Sequence, residues 1–434
     1  MRSALFKIGC VSVALSAAVA CATSEDSNDS AIAPAPGDGG VTTLPDAMET
    51  PVDPGDAGVD AEAGEVDTTC SAAGWCLTEL PDPSLNPGEL VPLQKHAFAM
   101  GHNEDLGTKI LEWSDATQAW SYIDDRSQHS IVGNARSLWA PNENEVYYFF
   151  SDYSPLFGEG AYGGYLFHGR RPVAPATAWS WTRERFDCDG VAIPEIPGFL
   201  LPEEPEVWGT SSGDVYALSC GAIHRSTGGV ADAGAGSWTV DYVDDDPSSR
   251  IEFTGATGTG PDDVWFLGRR GGFSPCAVVL HKTEAGYETV VDAIVNPDGT
   301  CGQKAGLPRI EGTITSPTAR SNQLVVVAGG RLLKIARDGE GAYALTYAGV
   351  SHLPGYTLVS AWADSDSDAW LVGNSGKGIV YRGTNVWGPA GALEISTIAL
   401  NGAANQKALY QVIGTSNKNL WVIGAERAFH KTTP

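Results

Sequence analysis

The stretch VSAWADSDSDAWLVGNSGKGIVYRGTNVW, residues 359–387, contains a complete structural unit. An apolar run is followed by a polar turn, the run AWLVG, a glycine turn, the run IVY and a last turn that ends at Trp387. Each run is short, rich in β-branched and aromatic residues, and bounded by Gly, Asn, Ser or Asp. This pattern predicts short β-strands joined by tight turns.

The run AWLVG at residues 369–373 has counterparts along the rest of the chain. They are AFAMG (97–101), VYYFF (146–150), VYALS (215–219), VWFLG (264–268), LVVVA (324–328) and LWVIG (420–424). The spacing of roughly 45 to 70 residues is typical of propeller blades and too long for most helical repeats. The chain is therefore expected to be a repeat array.

Other strands recur in step with these runs. A preceding strand is present in SLWAP, EVWGT, SAWAD and QVIGT, and a third strand in ILEW, YLFH, AIHR, VVLH, LLKI, IVYR and AFHK. An aromatic residue then opens a predicted fourth strand, at Trp120, Trp181, Trp238, Tyr287, Tyr343 and Trp387. Four antiparallel strands per unit, with no helical pattern between units, predict an all-β fold, a seven-bladed β-propeller with six or eight blades as alternatives.

The repeat pattern xDVWxxGxxGxIxHxxGxxW resembles the propeller repeats of exported bacterial proteins, including the kelch-like and Asp-box-like families. The resemblance covers about residues 75–434. It implies the propeller fold but no particular activity, because propellers host many unrelated functions.

The N-terminus predicts export and lipid attachment. Arg2 and Lys7 flank a short apolar stretch that ends in the small residues AVACA, as in a secretory signal peptide over residues 1–20. The run Ala18-Val19-Ala20-Cys21 resembles a bacterial lipobox, which implies that Cys21 carries the lipid and that the protein is sorted to the outer membrane. The alternative is ordinary secretory cleavage nearby, with Cys21 as a bystander.

Residues 21–69 have the composition of a disordered acidic tether. The segment is rich in Ala, Gly, Pro and Asp, and contains almost no large apolar residues. The whole chain has a formal net charge of −26, which argues against nucleic acid and against docking on an anionic membrane surface. We expect contact with the membrane only through the lipid anchor, and a monomeric propeller over residues 70–434.

Six cysteines remain after the signal peptide and Cys21 are set aside, and an even number in an exported chain predicts disulfides. Strand direction places the loops after second strands and after fourth strands on one face of the ring. This pattern predicts the pairs Cys188–Cys220 and Cys276–Cys301 and leaves Cys70–Cys76. No CxxC pair is present, so no zinc site is predicted.

The last repeat has only three predicted strands, because the chain ends after AFHK. The run WCLTEL, residues 75–80, matches the fourth-strand pattern of WTVDYV and WTRERF. We therefore predict that residues 75–80 pair beside the strand of Phe429 and His430 and close the ring. The alternative is that WCLTEL belongs to the tether.

Two sets of polar residues suggest metal ligands but favour structural roles. One position of the third strand is interpreted as holding a histidine in four blades, at His168, His224, His281 and His430, and Trp113 and Tyr381 in two others. Residues at a position that repeats around a ring cannot converge on one ion. Asp364, Asp366 and Asp368 lack the glycine and closing glutamate of an EF-hand loop, so they are predicted to stabilise a turn. We predict no metal and no cofactor.

Three long insertions predict where a ligand binds. They are residues 151–164, 187–204 and 268–276, and all fall on the face that carries the loops after second and fourth strands. Aromatic and Arg residues are enriched at binding centres. The candidate binding residues are Tyr153, Phe157, Tyr162, Phe199, Arg269, Arg270 and Phe273; the alternative is that these loops are tolerated surface variation.

The sequence favours a binding protein over an enzyme. Arg269, Arg270 and the pair Tyr287-Glu288 resemble pieces of a sialidase site, but they are not in a recognisable order, and no GxSxG, HExxH or phosphate-loop motif is present. We expect a non-catalytic propeller that binds a protein or a glycan at the cell envelope. The alternatives are a polysaccharide hydrolase or lyase on the same scaffold, and a structural partner in outer-membrane assembly.

Overall fold

The computed structural model describes residues 70–125, 135–151, 163–187, 205–227, 238–244, 246, 249–271, 274–320, 322–349, 356–400 and 403–433. The predicted signal peptide and tether lie outside these residues. Within the described part of the chain there is no helix, and hence none long and apolar enough to cross a bilayer.

Seven four-stranded antiparallel sheets form the blades. The strands of the first half are β1 (Trp75–Thr78), β2 (Asn86–Pro92), β3 (His96–Asn103), β4 (Gly107–Ser114), β5 (Ala119–Tyr122), β6 (Ala135–Asn142), β7 (Glu145–Ser151), β8 (Gly163–Arg170), β9 (Ser180–Asp187), β10 (Glu206–Ser211), β11 (Asp214–Ser219), β12 (Ala222–Thr227), β13 (Trp238–Val243), β14 (Glu252–Gly260), β15 (Asp263–Arg270) and β16 (Cys276–Thr283).

The second half continues the same arrangement. Its strands are β17 (Gly286–Val291), β18 (Ala293–Val295), β19 (Cys301–Gln303), β20 (Ile314–Arg320), β21 (Gln323–Ala328), β22 (Arg331–Arg337), β23 (Tyr343–Tyr347), β24 (Thr357–Ala363), β25 (Ala369–Asn374), β26 (Gly378–Thr384), β27 (Ala392–Ser396), β28 (Ala399–Leu400), β29 (Ala403–Ala404), β30 (Leu409–Ser416), β31 (Asn419–Gly424) and β32 (Arg427–Lys431).

Each blade is formed by consecutive strands, except the last. Blades 1 to 6 are β2–β5, β6–β9, β10–β13, β14–β17, β20–β23 and β24–β27, and blade 7 is β30–β32 with β1. Two small hairpins, β18–β19 and β28–β29, lie between blades. The predicted seven-bladed fold is confirmed. The prediction for Trp387 was wrong, because Trp387 lies in the turn before β27, which begins at Ala392.

The core lies between neighbouring blades. Second strands such as β11 and β15 are buried along nearly their whole length, because a blade packs against other blades on both faces. Between blades 4 and 5, for example, Trp265 and Val279 pack with Leu324 and Ile335. The repeated apolar runs of the sequence are therefore the inter-blade core.

The first strands of the blades form the inner ring, in which each contacts the next and β30 contacts β2. At one equivalent position of these inner strands, the side chain accepts a hydrogen bond from the backbone of the next blade. Ser137 Oγ accepts from Val207 N (2.8 Å) and Ser360 Oγ from Val412 N (3.0 Å), while Gln411 Oε1 accepts from Leu90 N (3.0 Å). These bonds satisfy amides on inner-strand edges, which have no strand neighbour on that side.

Strand β1 closes the ring, as the sequence predicted. It pairs antiparallel with β32, with Trp75 opposite Lys431, Cys76 opposite His430 and Leu77 opposite Phe429. Trp75 is fully buried, contacts the ring of Trp370 edge-on at 5.8 Å and donates its indole N–H to Ser396 Oγ (2.9 Å). The pairing extends over Trp75–Thr78, so residues 79 and 80 are outside the strand.

We predict that removing β1 opens the ring. A chain that starts at Asn86 should lose cooperative unfolding and aggregate, because β32 then has an open edge and Trp370 and Phe429 lose a covering partner. A chain that starts at Asp67 should melt like the full exported protein. Calorimetry and light scattering measure both, and equal melting of the two chains would contradict closure.

The point variant Trp75→Ala tests the same contact without truncation. Loss of a fully buried indole is expected to lower the free energy of unfolding by about 3–5 kcal/mol. The matched control is Val173→Ala, which removes a side chain that is 82% exposed and should change stability by less than about 0.5 kcal/mol.

Candidate functional site

The candidate site lies on the insert face, defined as the side of the ring with the loops after the second and fourth strands of each blade. Of the predicted binding residues, Arg269 and Arg270 are described. Tyr153, Phe157, Tyr162, Phe199 and Phe273 lie outside the described residues, and so does Cys188.

Two predicted disulfides are confirmed. Cys276 at the start of β16 pairs with Cys301 of the hairpin β18–β19, and Cys70 pairs with Cys76 of β1. Cys220 is also disulfide-bonded, but because Cys188 is not described, the pair Cys188–Cys220 stays a prediction.

Arg270 anchors the blade 4 insertion, defined as residues 292–313 between β17 and β20, which include the hairpin β18–β19. Arg270 is only 3% exposed. Its Nε donates to Asp292 Oδ1 (2.8 Å) and its Nη1 to Asp244 Oδ2 (2.5 Å). Nη1 also donates to Ser249 O. Lys304 Nζ reaches Asp292 Oδ2 at 2.6 Å. Burial favours the neutral form of Asp292, but the hydrogen bonds from Arg270 and Lys304 outweigh it and lower the pKa of that carboxyl. The guanidinium thus holds two loops together.

Arg269 makes a separate two-point ion pair. Its Nε donates to Glu252 Oε2 (2.8 Å) and its Nη2 to Glu252 Oε1 (2.5 Å), and both side chains are partly exposed. The pair joins the second strand of blade 4 to its inner strand. Both predicted arginines are therefore engaged with carboxylates, Arg269 with one of its own blade and Arg270 also with Asp244, which follows β13 of blade 3.

An open pocket of about 340 Å³ lies between the blade 4 insertion and blade 5. It is lined by Arg309, Ile310, Glu311, Ala328, Gly329, Arg331 and Tyr347. The Arg331 guanidinium lies 4.2 Å from the centre of the Tyr347 ring, which is 38% exposed. Arg331 lines the pocket, and no described carboxylate forms an ion pair with it.

The segment that carries Arg309 is held in place by backbone and side-chain bonds. Ala277 N donates to Ile310 O (3.0 Å), Gly312 N to Pro275 O (2.8 Å), and Arg309 Nη1 to Cys301 O (2.6 Å). Arg309 Nη2 also lies 3.3 Å from Glu311 Oε1. The pocket wall is therefore preorganised, which reduces the ordering cost of binding.

The histidine position was partly misassigned in the sequence. His168, His281 and His430 share a position, opposite Tyr147, Trp265 and Trp421. Arg225 takes this position in blade 3, and His224 lies one residue away, opposite Ala217. Likewise Glu112 and Arg382 fill it instead of Trp113 and Tyr381. His224 is the third residue after its hairpin turn and His430 the fourth, so the same side-chain type lies at two different register positions.

The histidines have structural contacts. His281 stacks on Trp265 at 3.8 Å, its Nε2 lies 2.9 Å from Asp263 Oδ1, and its Nδ1 lies 2.7 Å from Tyr343 Oη. His430 stacks on Trp421 in the same way. Among the described residues, no three His, Cys, Asp or Glu side chains form a metal-binding group.

The acidic turn ADSDSDA supports neighbouring segments. Asp368 Oδ1 accepts from Asn385 N (3.0 Å), Asp366 Oδ1 accepts from Gln323 Nε2 (2.5 Å), and Asp364 Oδ2 bonds the Asn417 amide. The side chains of Asp364 and Asp366 thus connect blade 6 to blades 7 and 5, and that of Asp368 bonds the next turn of its own blade; their predicted role in stabilising the turn itself stays a prediction.

The pieces that resemble a sialidase site do not converge. Tyr287 Oη donates to Asp241 Oδ2 (2.6 Å), whereas Glu288 bonds Tyr343 (2.9 Å) and Arg337 (2.5 Å) of blade 5. Burial and the hydrogen bond to Asp241 raise the pKa of Tyr287, so this phenol is a poor nucleophile near neutral pH. Arg269 and Arg270 belong to the separate contacts described above.

Glu89 is an unusual acid that the sequence analysis missed. It lies on inner strand β2, beside Gln411, and is half-buried. Burial raises the pKa of this carboxyl to about 8, although a hydrogen bond with Gln411 acts in the opposite direction. Glu206 takes the corresponding position in blade 3, because Glu89 and Glu206 pair with equivalent second-strand residues, Met100 and Leu218.

Comparisons with known proteins show the fold. No family model matches the sequence, and no curated protein matches it in a sequence search. The structure of YCF48 bound to a D1 peptide is 13% identical with a TM-score of 0.50, and the match covers 83% of this chain and 97% of that one. At this identity the similarity shows a shared β-propeller fold and nothing further.

Two other solved structures resemble the chain at lower scores. YCF48 from Cyanidioschyzon merolae is 13% identical with a TM-score of 0.49, over 83% of this chain and 99% of that one. An ulvan lyase, a polysaccharide lyase bound to a saccharide of GlcA and Rha3S, is 10% identical with a TM-score of 0.48, over 82% of this chain and 92% of that one.

We predict that Asp292→Ala destabilises the protein by about 3–5 kcal/mol at pH 7, because it removes one partner of a buried charge. Since the folded-state pKa of Asp292 is below its unfolded value of about 3.8, its contribution is present above pH 4 and is lost as the pH falls further. Denaturant titrations of wild type and variant should therefore converge at acid pH.

The matched control for Asp292 is Glu311→Ala, which removes an exposed carboxylate from a surface pair and should cost less than about 1 kcal/mol. A stability difference between wild type and Asp292→Ala that stays constant from pH 7 to pH 2 would contradict the assigned role.

Proposed function

We propose that this protein is a non-catalytic binding protein of the bacterial cell envelope, and that its propeller holds a partner molecule on the insert face. The observation that carries the proposal is the pocket of Arg309, Arg331 and Tyr347, built on an insertion that a disulfide and the Arg270 ion cluster fix to the ring. Such a fixed, cationic and aromatic surface fits recognition better than bond cleavage.

The chemistry of the pocket favours an anionic group on the partner. Two guanidinium groups face one carboxylate in the pocket, in a chain with a net charge of −26. Arg binds carboxylates with paired, charge-assisted hydrogen bonds, and an exposed tyrosine supplies an apolar contact beside them. A peptide carboxylate and a uronic acid both meet this requirement, so the partner is a protein or a glycan.

A peptide is the occupant that we favour. YCF48, which has a related propeller fold, was solved with a D1 peptide, so a propeller of this kind can present a peptide-binding surface. The similarity does not transfer that partner to this chain. The size of the pocket matches one or two side chains or a chain terminus rather than a folded domain.

The binding proposal predicts the effect of charge reversal in the pocket. Arg309→Glu combined with Arg331→Glu should reduce capture of envelope proteins or glycans by about tenfold or more, because a favourable ion contact becomes repulsive. Pull-downs from envelope extracts and glycan arrays, with the full chain as bait, measure the change. Arg427→Glu reverses a charge at the first residue of β32, next to the β31–β32 turn on the same face, and should leave capture intact. Equal capture by all three proteins would contradict the proposal.

We also propose that the chain is a lipoprotein of the outer membrane, anchored through Cys21 and separated from the membrane by the acidic segment 21–69. The support is the sequence AVAC at residues 18–21 and the tether composition. Cys21→Ser should abolish lipid labelling and move the protein from the membrane to the soluble fraction. Unchanged membrane fractionation of this variant would contradict the anchor.

A polysaccharide hydrolase or lyase is the second candidate, and Glu89 is the observation that favours it. A carboxyl whose pKa is raised by burial holds its proton more readily than an ordinary glutamate and is a candidate general acid. Release of reducing or unsaturated ends from acidic polysaccharides, lost in Glu89→Gln but not in Arg331→Glu, would establish this function instead.

A further inference from the structure

The pocket between the blade 4 insertion and blade 5 has an apolar floor, formed by Ile310 and Ala328. Both residues line the pocket, and they are 4% and 3% exposed. Both belong to segments that are held in place, because Ile310 O accepts from Ala277 N (3.0 Å) and Ala328 is the last residue of β21. A ligand that enters the pocket therefore meets fixed alkyl side chains as well as charged ones.

The tight turn between β21 and β22 adds a backbone donor. Gly329 and Gly330 have φ values of 56° and 72°, and Ala328 pairs with Arg331 across them. This is the two-residue hairpin turn that requires a positive φ at both central positions. Gly329 lines the pocket, and its N–H donates to no described group. The turn therefore leaves an amide donor for a ligand next to Arg331.

Arg331 supplies the charge that an anionic ligand meets. Its side chain is exposed, and its guanidinium lies 4.2 Å from the centre of the Tyr347 ring. A planar guanidinium on a ring face keeps the N–H groups at its edge for hydrogen bonds. Arg331 pairs with none of the described carboxylates, whereas Arg309 is already bonded to Glu311 and to Cys301 O. We therefore assign the charge of the ligand to Arg331.

A single residue at the C-terminus of a peptide supplies both features that this pocket requires. Its α-carboxylate accepts paired hydrogen bonds from a guanidinium and a further one from a backbone N–H. Its side chain is attached to the same Cα as that carboxylate, so an alkyl side chain can cover Ile310 and Ala328 at the same time. An Asp or Glu inside a peptide brings a carboxylate but no alkyl group of the same residue.

A uronic acid has the same charge but matches the apolar floor less well. Its ring carries hydroxyl groups, which lose their hydrogen bonds to water on an alkyl surface without gaining others. A sugar ring also stacks on an uncovered aromatic face. Tyr347 is the only aromatic residue among those that line the pocket, and Arg331 lies over one of its faces.

We propose that this pocket binds the free C-terminus of a partner protein that ends in an alkyl residue such as Leu or Val. The α-carboxylate contacts the Arg331 guanidinium and Gly329 N–H, and the last side chain packs on Ile310 and Ala328. The inference rests on the proposed binding function, and it specifies which part of the partner enters the pocket.

The test uses the full chain and the hexapeptide Gly-Ser-Gly-Ser-Gly-Leu with fluorescein at its N-terminus. Fluorescence anisotropy should show saturable binding of the free acid that weakens as salt is added. The same peptide with a C-terminal amide loses the charge and should bind about tenfold or more weakly. An amide with Glu as its fourth residue regains the charge of the free acid and should still bind as weakly as the first amide. A free acid that ends in Gly loses the alkyl contact and should bind about tenfold more weakly.

Two matched variants test the protein side. Arg331→Gln removes the charge but keeps a long polar side chain, and should weaken binding of the free acid by about tenfold or more. The control is Lys377→Gln, which removes an exposed charge from the turn between β25 and β26, the equivalent turn of blade 6, and should bind like wild type. Both side chains are exposed, so both variants should also melt like wild type, which separates lost binding from unfolding.

The inference is overturned if the amide binds as tightly as the free acid, or if Arg331→Gln binds the free acid as wild type does. It is also overturned if an oligosaccharide of glucuronic acid displaces the peptide and binds more tightly through Arg331, because the pocket then recognises a glycan.

Envelope capture by the charge-reversed protein separates this inference from the proposed function. If capture depends on Arg309 and Arg331 but the free-acid peptide does not bind, the C-terminal inference fails and the binding function stands. If the free acid binds through Arg331 but capture is the same with and without the charge reversal, the inference stands and the proposal of an envelope partner fails.

Discussion

The pairing of β1 with β32 is the constraint on which the rest of the structure depends. It joins residues 75–78 to residues 428–431 across nearly the whole propeller. A single blade is buried only where a neighbour packs on each face, so an open ring would leave blades 7 and 1 with exposed apolar faces. Trp75 shows the effect, because it packs with the core of blades 6 and 7 while Trp120 donates to Thr78 Oγ1 at 3.0 Å.

The closed ring is the frame to which the binding surfaces are attached. Blade 4 carries an insertion that is held by the Cys276–Cys301 disulfide and by Arg270 between Asp244 and Asp292. Blade 5 supplies Arg331 and Tyr347 to the same pocket. Because both blades are fixed in the ring, the pocket does not need to be assembled when a partner binds, and the partner meets a defined arrangement of charge and aromatic surface.

The fold was predictable from the sequence because its signals are local. Short apolar runs define the second strands. The run WCLTEL has the pattern of a fourth strand, and this pattern is recognisable even though it lies at the start of the propeller and not after a third strand. The position of His224 was wrong because His224 is the third residue after its hairpin turn, whereas His430 is the fourth residue after a turn of the same length. The roles of Arg270, Arg331 and Glu89 were not predictable, since Asp244, Tyr347 and Gln411 come from other loops, strands or blades.

Hydrogen exchange at β32 tests the central claim most directly. If β1 closes the ring, β32 is the third strand of a complete blade, and its amides at Ala428–Lys431 should exchange as slowly as those of β26. If β1 is not paired there, β32 is an outer strand, and its amides should exchange as fast as those of β27. Exchange at the faster rate in the intact protein would contradict this account of the fold.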